Sequence, residues 1–121
     1  IPYANIMNQR GELVEPNAES ISAAASGVIP ADTRTSITNA DAAGAYPIAT
    51  FTWVIIYKEQ NYSDRSKEQA TATLDLLQYI LSDEAQKITS EVHYAPLPAQ
   101  AKELSLKNLK TVTYDGMPIL Q

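Results

Sequence analysis

Cysteine is absent from this chain of 121 residues. That excludes a disulfide framework and thiolate metal sites, and it fits either the cytoplasm or an exported protein that avoids thiols. Histidine occurs once, at position 93, so a Ser/His nucleophilic pair or most zinc sites would have to use His93. Only four glycines are present, and none lies in a phosphate-cradling P-loop or a dinucleotide fingerprint. Basic residues are outnumbered nine to fourteen, for a net charge of −5. The bases are scattered, and their longest cluster, Lys102 to Lys110, is diluted by Leu and Asn. No nucleic-acid partner is expected, because neutralising phosphates takes clustered Lys and Arg. No apolar run approaches the roughly 20 residues of a membrane span. No signal peptide is visible, and the opening Ile1-Pro2 in place of Met predicts an internal start, so the missing signal says nothing about location.

What is present is the composition of a globular domain: 45% apolar and 19% charged residues, far from the apolar-poor make-up of disordered chains. Short apolar pieces at Tyr3–Met7 and Glu12–Val14 flank Asn8-Gln-Arg-Gly11, a hairpin or extended-loop signal. Asn17 is a good N-cap for a helix carrying Ile21, Ala24, Ala25 and Val28, with Gly27 at its end. Residues 29–45 lack a period and read as a long loop with at most a short strand at Arg34–Ile37. Loops of that length usually connect units or carry function.

The stretch "YPIATFTWVIIYKEQ", 46–60, holds the only Phe and the only Trp of the chain. From Tyr46 to Tyr57 it reads as a strand apolar on both faces, which normally sits mid-sheet with cover on each side. After a polar turn over 58–65, Ser66-Lys-Glu-Gln69 forms a capping box, and Ala70, Leu74, Leu77 and Leu81 make the buried stripe of a helix, widened by Thr73, Leu76 and Ile80. Ser82-Asp-Glu opens another, with Ala85, Ile88 and Val92 on one side. Pro98 suits the first position of a third, carrying Ala101, Leu104 and Leu109. A short strand, an Asp115-Gly116 turn and an extended tail close the chain. The class is α/β.

Reactive constellations are scarce. His93 stands where a helix ends, without a second ligand at useful spacing, and reads as a packed or capping residue. Asp83, Glu84 and Glu91 are better explained as helix acids on a solvated face than as a general acid/base pair. Asp32-Thr-Arg-Thr-Ser36 gathers a guanidinium and three hydroxyls, the groups that hold an oxyanion. Yet no capped helix opens there to add backbone donors, so this too reads as loop composition. Asn61-Tyr-Ser63 matches the glycosylation acceptor pattern, which matters only in a eukaryotic secretory setting. No catalytic, ligand-binding or metal residue is assigned, no cofactor is expected, and no enzyme is predicted.

Taken in order, "GELVEPNAESISAAA", Tyr46-Pro47-Ile48 running into the apolar strand, and Gln86 followed by Tyr94-Ala-Pro-Leu-Pro98 resemble the C-terminal part of the phosphate-binding proteins that serve bacterial ABC-type phosphate transporters. The resemblance implies a fragment of a bilobal, periplasmic-binding-protein-like fold in which a hinge motion closes two α/β lobes on an anion. It implies that residues 1–46 are the tail of lobe two and residues 47–121 the closing part of lobe one, with the chain crossing near 46–50. It further implies inorganic phosphate and a membrane permease as partners of the whole protein. A periplasmic or otherwise extracytoplasmic location is implied as well, with or without a lipid anchor. The family's phosphate contacts include a Ser-Gly-Thr run that has no counterpart here, and Arg34 matches none of them by position. Other readings are a binding protein for another tetrahedral oxyanion, a phosphate sensor, and a self-associating structural module. A phosphatase-like enzyme lacks its metal or nucleophile constellation. A two-sided apolar strand without its sheet also predicts a homodimer, a swapped assembly or poor stability.

Overall fold

A computed structural model describes residues 3–120 of the chain. Strands β1 (Ile6–Met7) and β2 (Leu13–Val14) pair antiparallel, Ile6 opposite Val14 and Met7 opposite Leu13. Asn8 builds the turn between them. Its side-chain oxygen accepts from the amides of Arg10 and Glu12, both at 3.0 Å. Its side-chain nitrogen reaches the Ala45 carbonyl at 3.2 Å and so ties the hairpin to the loop beyond.

Helix α1 (Ala18–Ala24) starts from a reciprocal cap, in which Asn17 accepts from the Ser20 amide and the Ser20 hydroxyl accepts from the Asn17 amide. Its end departs from expectation. Ala25 is the cap, and the amides of Ala25 and Ser26 close on the carbonyls of Ser22 and Ala23 at 3.1 Å each. These tight bonds satisfy the last carbonyls without a left-handed residue, and Gly27 lies beyond the helix with no positive φ.

Residues 26–57 form neither helix nor strand. The short strand expected at Arg34–Ile37 does not form. Thr33, at φ +60°, turns the chain just before it, and the following groups bond singly instead of in a ladder. The Thr38 hydroxyl donates to the Ala49 carbonyl at 3.1 Å, and the Asn39 amide to the Pro47 carbonyl at 2.8 Å. The loop nevertheless supplies most of a core. Ile37, Ala45 and Ala49 are buried with Ala24 and Ala25, and Ile21, Ala40, Ala42 and Phe51 pack around them.

The second half is helical. Helix α2 (Lys67–Ile80) begins at the predicted Ser66–Gln69 capping box and buries Ala70 and Leu74 completely. Helix α3 (Asp83–Glu91) is capped by Ser82. Helix α4 (Ala99–Leu109) is entered through Pro98, which stands at the cap and not at the first helical position as expected. Strands β3 (Thr113–Tyr114) and β4 (Met117–Pro118) form a second antiparallel hairpin. Its turn residues Asp115 and Gly116 both have positive φ, +51° and +73°, the geometry that a two-residue hairpin favours. Leu74, Leu109 and Val112 form a separate core with Ile56, Leu77, Leu81, Ile119 and Leu120 against it. Helices with small two-stranded sheets make this an α/β fragment.

The main correction concerns Tyr46 to Tyr57. Tyr46 and Pro47 are held to the first core, the Tyr46 amide on the Ser20 carbonyl at 3.0 Å. From Ala49 to Tyr57 the chain runs without turn or bend, but no strand partner lies alongside. Among the described residues the only ladder contact of the run is a single parallel bridge at its far end, Glu59 to Thr113. A strand is defined by a neighbour, and the described residues supply none. The helices cover Ile56 alone, while Val54, Ile55 and Tyr57 stand exposed, Ile55 by 91%.

Candidate functional site

The residues with chemistry do not converge. In the Asp32–Ser36 cluster, Arg34 pairs with its own neighbour: its Nε lies 2.9 Å from Asp32 Oδ2, and its amide donates to Asp32 Oδ1 at 3.1 Å. The guanidinium holds the Asp32 carboxyl below its usual range. A guanidinium already paired at an exposed turn is a poor anion clamp, which agrees with reading the cluster as loop.

His93 is exposed, so the packed role does not apply and the capping role does. It takes φ +62° immediately after the α3 cap residue Val92. Its amide closes on the Ser90 carbonyl at 3.4 Å and that of Tyr94 on the Thr89 carbonyl at 2.8 Å. Together these form a Schellman end. Asp83 and Glu91 sit at opposite ends of α3, about 12 Å apart along its axis, and cannot share a pocket. Asp83 instead contacts the Lys102 ammonium, which lowers its pKa. Asn61 is exposed and its side chain donates to Asp115. Among the described residues no group of three or more His, Cys, Asp or Glu could hold a metal.

Three polar residues that the motifs did not single out as structural anchors turn out to organise the second half. Glu59 accepts from the amides of Asn61, Asp115 and Gly116 at 2.9, 3.0 and 3.1 Å and from the Thr113 hydroxyl at 2.8 Å. These donors, the Asn61 amide foremost, lower its pKa to about 2. Buried Gln86 spans two elements: its nitrogen donates to the Ile80 carbonyl at 2.9 Å and its oxygen accepts from the Leu97 amide at 2.7 Å. That gives the Gln86…Tyr94-Ala-Pro-Leu-Pro98 motif a physical basis, since the amide holds the proline-rich segment against α2. Arg65 donates to the Tyr62 hydroxyl at 2.9 Å, the Gln69 carbonyl at 3.1 Å and Thr73. It lines a shallow open depression with Gln69, Ala72 and Thr73, but its terminal donors are committed internally.

What remains conspicuous is apolar surface. Trp53, Val54, Ile55 and Tyr57 are exposed, as are Leu76, Tyr79 and Ile80 of α2 and Ile88, Val92 and Tyr94 in and beyond α3. Ile88 and Val92, which their spacing places with Ala85 on one side of the helix, stand exposed. The chain exposes 8282 Å², whereas a compact monomer of 13.2 kDa exposes about 6,400 Å². Large apolar side chains left exposed in this number point to an interaction face. The candidate functional feature is therefore a face and not a pocket.

Comparison with known proteins gives that face a context. The chain is 35% identical over 99 residues to a phosphate-binding protein PstS of Xylella fastidiosa strain Temecula1, and 34% identical over 99 residues to the PstS of strain 9a5c. Each match covers 79% of this chain and 26% of the relative. A PstS of Methanocaldococcus jannaschii is 28% identical over 121 residues, 93% of this chain and 31% of the relative. No protein-family model matches. The chain is a PstS-like segment, consistent with a C-terminal part, and it spans between a quarter and a third of the length of these relatives.

Proposed function

We propose that this chain is the C-terminal portion of a solute-binding protein that captures inorganic phosphate and hands it to the membrane permease of an ABC-type importer. The observation that carries the reading is the match to proteins named phosphate-binding protein over most of this chain. The whole protein acts by binding and release and catalyses nothing. It works outside the cytoplasm; no helix among the described residues is long and apolar enough to cross a membrane.

Within that protein, residues 1–46 close lobe two and residues 47–121 close lobe one. Two separate cores support the division, one built from residues 21–51 and the other from 56–120. Phe51 packs with the first and Ile56 with the second, which draws the crossing from 46–50 a few residues onward. The phosphate contacts belong to the part of the protein outside this chain. Arg34 is paired through its Nε with Asp32, and the terminal nitrogens of Arg65 are engaged within the chain, which supports that placement.

Calorimetric titration with inorganic phosphate tests the reading in two arms. The 121-residue chain alone is expected to show no binding tighter than about 1 mM, and the chain joined to its upstream reading frame to bind at about 1 μM or tighter. Micromolar binding by the short chain would overturn the location of the site. Failure of the longer protein to bind phosphate, while binding another tetrahedral oxyanion, would overturn the ligand.

A further inference from the structure

We propose that Asp115 is a site of slow self-modification to isoaspartate, and that Glu59 is the group that restrains it. Asp115 is the only Asp of the chain followed by Gly, and no Asn is followed by Gly. A carboxyl side chain just ahead of Gly can close on the next main-chain nitrogen, because no Cβ stands in the way. In that step the Gly116 nitrogen attacks Asp115 Cγ and the N–Cγ bond forms. The carboxyl hydroxyl leaves with the amide proton as water, and a five-membered succinimide results. Water then adds at either carbonyl of the ring, one N–C bond breaks, and Asp115 or its isoaspartate isomer is released. The water lost is regained, the mass is unchanged, and no other reactant is needed.

The hairpin turn leaves this reaction sterically open. Asp115 and Gly116 are exposed, and beyond its chain neighbours no atom lies within 4 Å of where a Cβ on Gly116 would stand. Packing supplies no shield there; hydrogen bonds do. The Gly116 nitrogen, which must attack, donates to Glu59 Oε2 at 3.1 Å, and the Asp115 nitrogen donates to Glu59 Oε1 at 3.0 Å. Asp115 Oδ1, on the carbon to be attacked, accepts from the Asn61 side chain. The main-chain amide of Asn61 in turn donates to Glu59 Oε1 at 2.9 Å. One carboxylate thus holds the nucleophile directly and the electrophile through Asn61. To react, the Gly116 N–H must leave a charged acceptor and Asp115 must release Asn61, and bonds to charged groups are the stronger kind. Isoaspartate adds one atom to the main chain at the turn. The register of Thr113 with Pro118 and Tyr114 with Met117 is then lost, and with it the bond of the Ile119 amide to the Val112 carbonyl at 3.1 Å.

Prolonged incubation of the chain joined to its upstream reading frame tests this, with isoaspartate counted by enzymatic methyl transfer and located by peptide mapping. No phosphate is involved, so the outcome is independent of the proposed function. Isoaspartate is expected to form at position 115 at least about tenfold more slowly in the folded wild type than in guanidinium chloride. Gly116→Ala should suppress it in the denatured chain. Glu59→Ala is expected to speed it at least about threefold in the folded protein, with helix content by circular dichroism unchanged. Asn61→Ala, which frees the Asp115 carboxyl but leaves Glu59 on both hairpin amides, should speed it less. If Glu59→Ala does not fold, Glu59→Gln, which keeps the size of the side chain without its charge, decides the matter in the same direction. Equal rates in folded and denatured wild type, or no isoaspartate at 115 in either, would overturn the proposal. So would Glu59 variants that react no faster than wild type, or a rise shared by other Asp positions, which would trace to global unfolding.

Discussion

Helix α2 and the run from Phe51 to Tyr57 lie close in sequence and are both rich in apolar residues, yet they end in opposite states. The helix closes its backbone bonds within itself and needs a core only for one stripe, so Leu74 is wholly buried while Leu76 and Tyr79 stay in water. The run has no such internal solution. Its amides require a neighbouring strand, none is present among the described residues, and Trp53, Val54, Ile55 and Tyr57 are left outside with them. Local hydrogen bonding lets a helix survive apart from its fold, whereas a central strand keeps only its conformation. The exposed face is thus what a piece of a larger sheet is expected to show.

The sharpest way to break this comparison is a pair of truncations. Leu74→Ala removes a fully buried side chain and should cost about 3 kcal/mol through lost burial and a cavity. Ile55→Ala, at concentrations too low for association, should change unfolding by no more than about 0.5 kcal/mol. Urea denaturation followed by circular dichroism measures both. Equal losses would mean that the run is packed in solution and that the contrast fails.

Gln86 presents a third solution, in which a side chain supplies the bonds that a segment lacks. Gln86→Leu keeps the bulk but leaves the Ile80 carbonyl and the Leu97 amide unpaired, at a cost of about 2 kcal/mol. Hydrogen exchange should quicken at Leu97 and leave α2 near Leu74 protected. Uniform loss of protection would show that the amide holds the whole second core and not the proline-rich segment alone.

These contrasts also explain what was legible in the sequence. Helix starts at Asn17, Ser66 and Ser82 were readable because cap and partner lie within three residues of each other. The Asn8–Gly11 and Asp115-Gly116 hairpin turns were readable for the same reason. The Gly27 stop failed because Ala25 and Ser26 closed the helix with their own amides. Glu59 and Gln86 carry roles that depend on Thr113, Gly116 and Leu97, and no local pattern announces such distant partners. The strand reading of 46–57 was right about its apolar character but depended on a neighbour that the described residues do not supply. Motif order pointed to the phosphate-binding family where residue chemistry alone stopped at an α/β module.

Glu59 ties down the far end of the extended run, and acid should loosen it. Its carboxylate titrates at about 2 in the folded chain against 4.5 for an ordinary glutamate. Because the folded value is the lower, its contribution is fully present above about pH 4.5 and fades as pH falls toward 2. Protection of the Gly116 and Asp115 amides, taken relative to their intrinsic exchange rates at each pH, should therefore fall over that window in the wild type. In Glu59→Gln they should already exchange faster at neutral pH, with a flatter acid dependence. An acid response that survives the substitution unchanged would assign the anchoring to another group.

The smallest effect concerns how α3 ends. His93 holds a left-handed conformation that places its Cβ against the backbone, and its side chain is exposed. Glycine meets that geometry without the steric term but adds freedom to the unfolded chain. The steric relief is the larger of the two, so His93→Gly should stabilise by about 0.5–1 kcal/mol. His93→Val, β-branched at the same angle, should destabilise. If His93→Gly instead destabilised, the imidazole itself would be making the contact that holds the helix end.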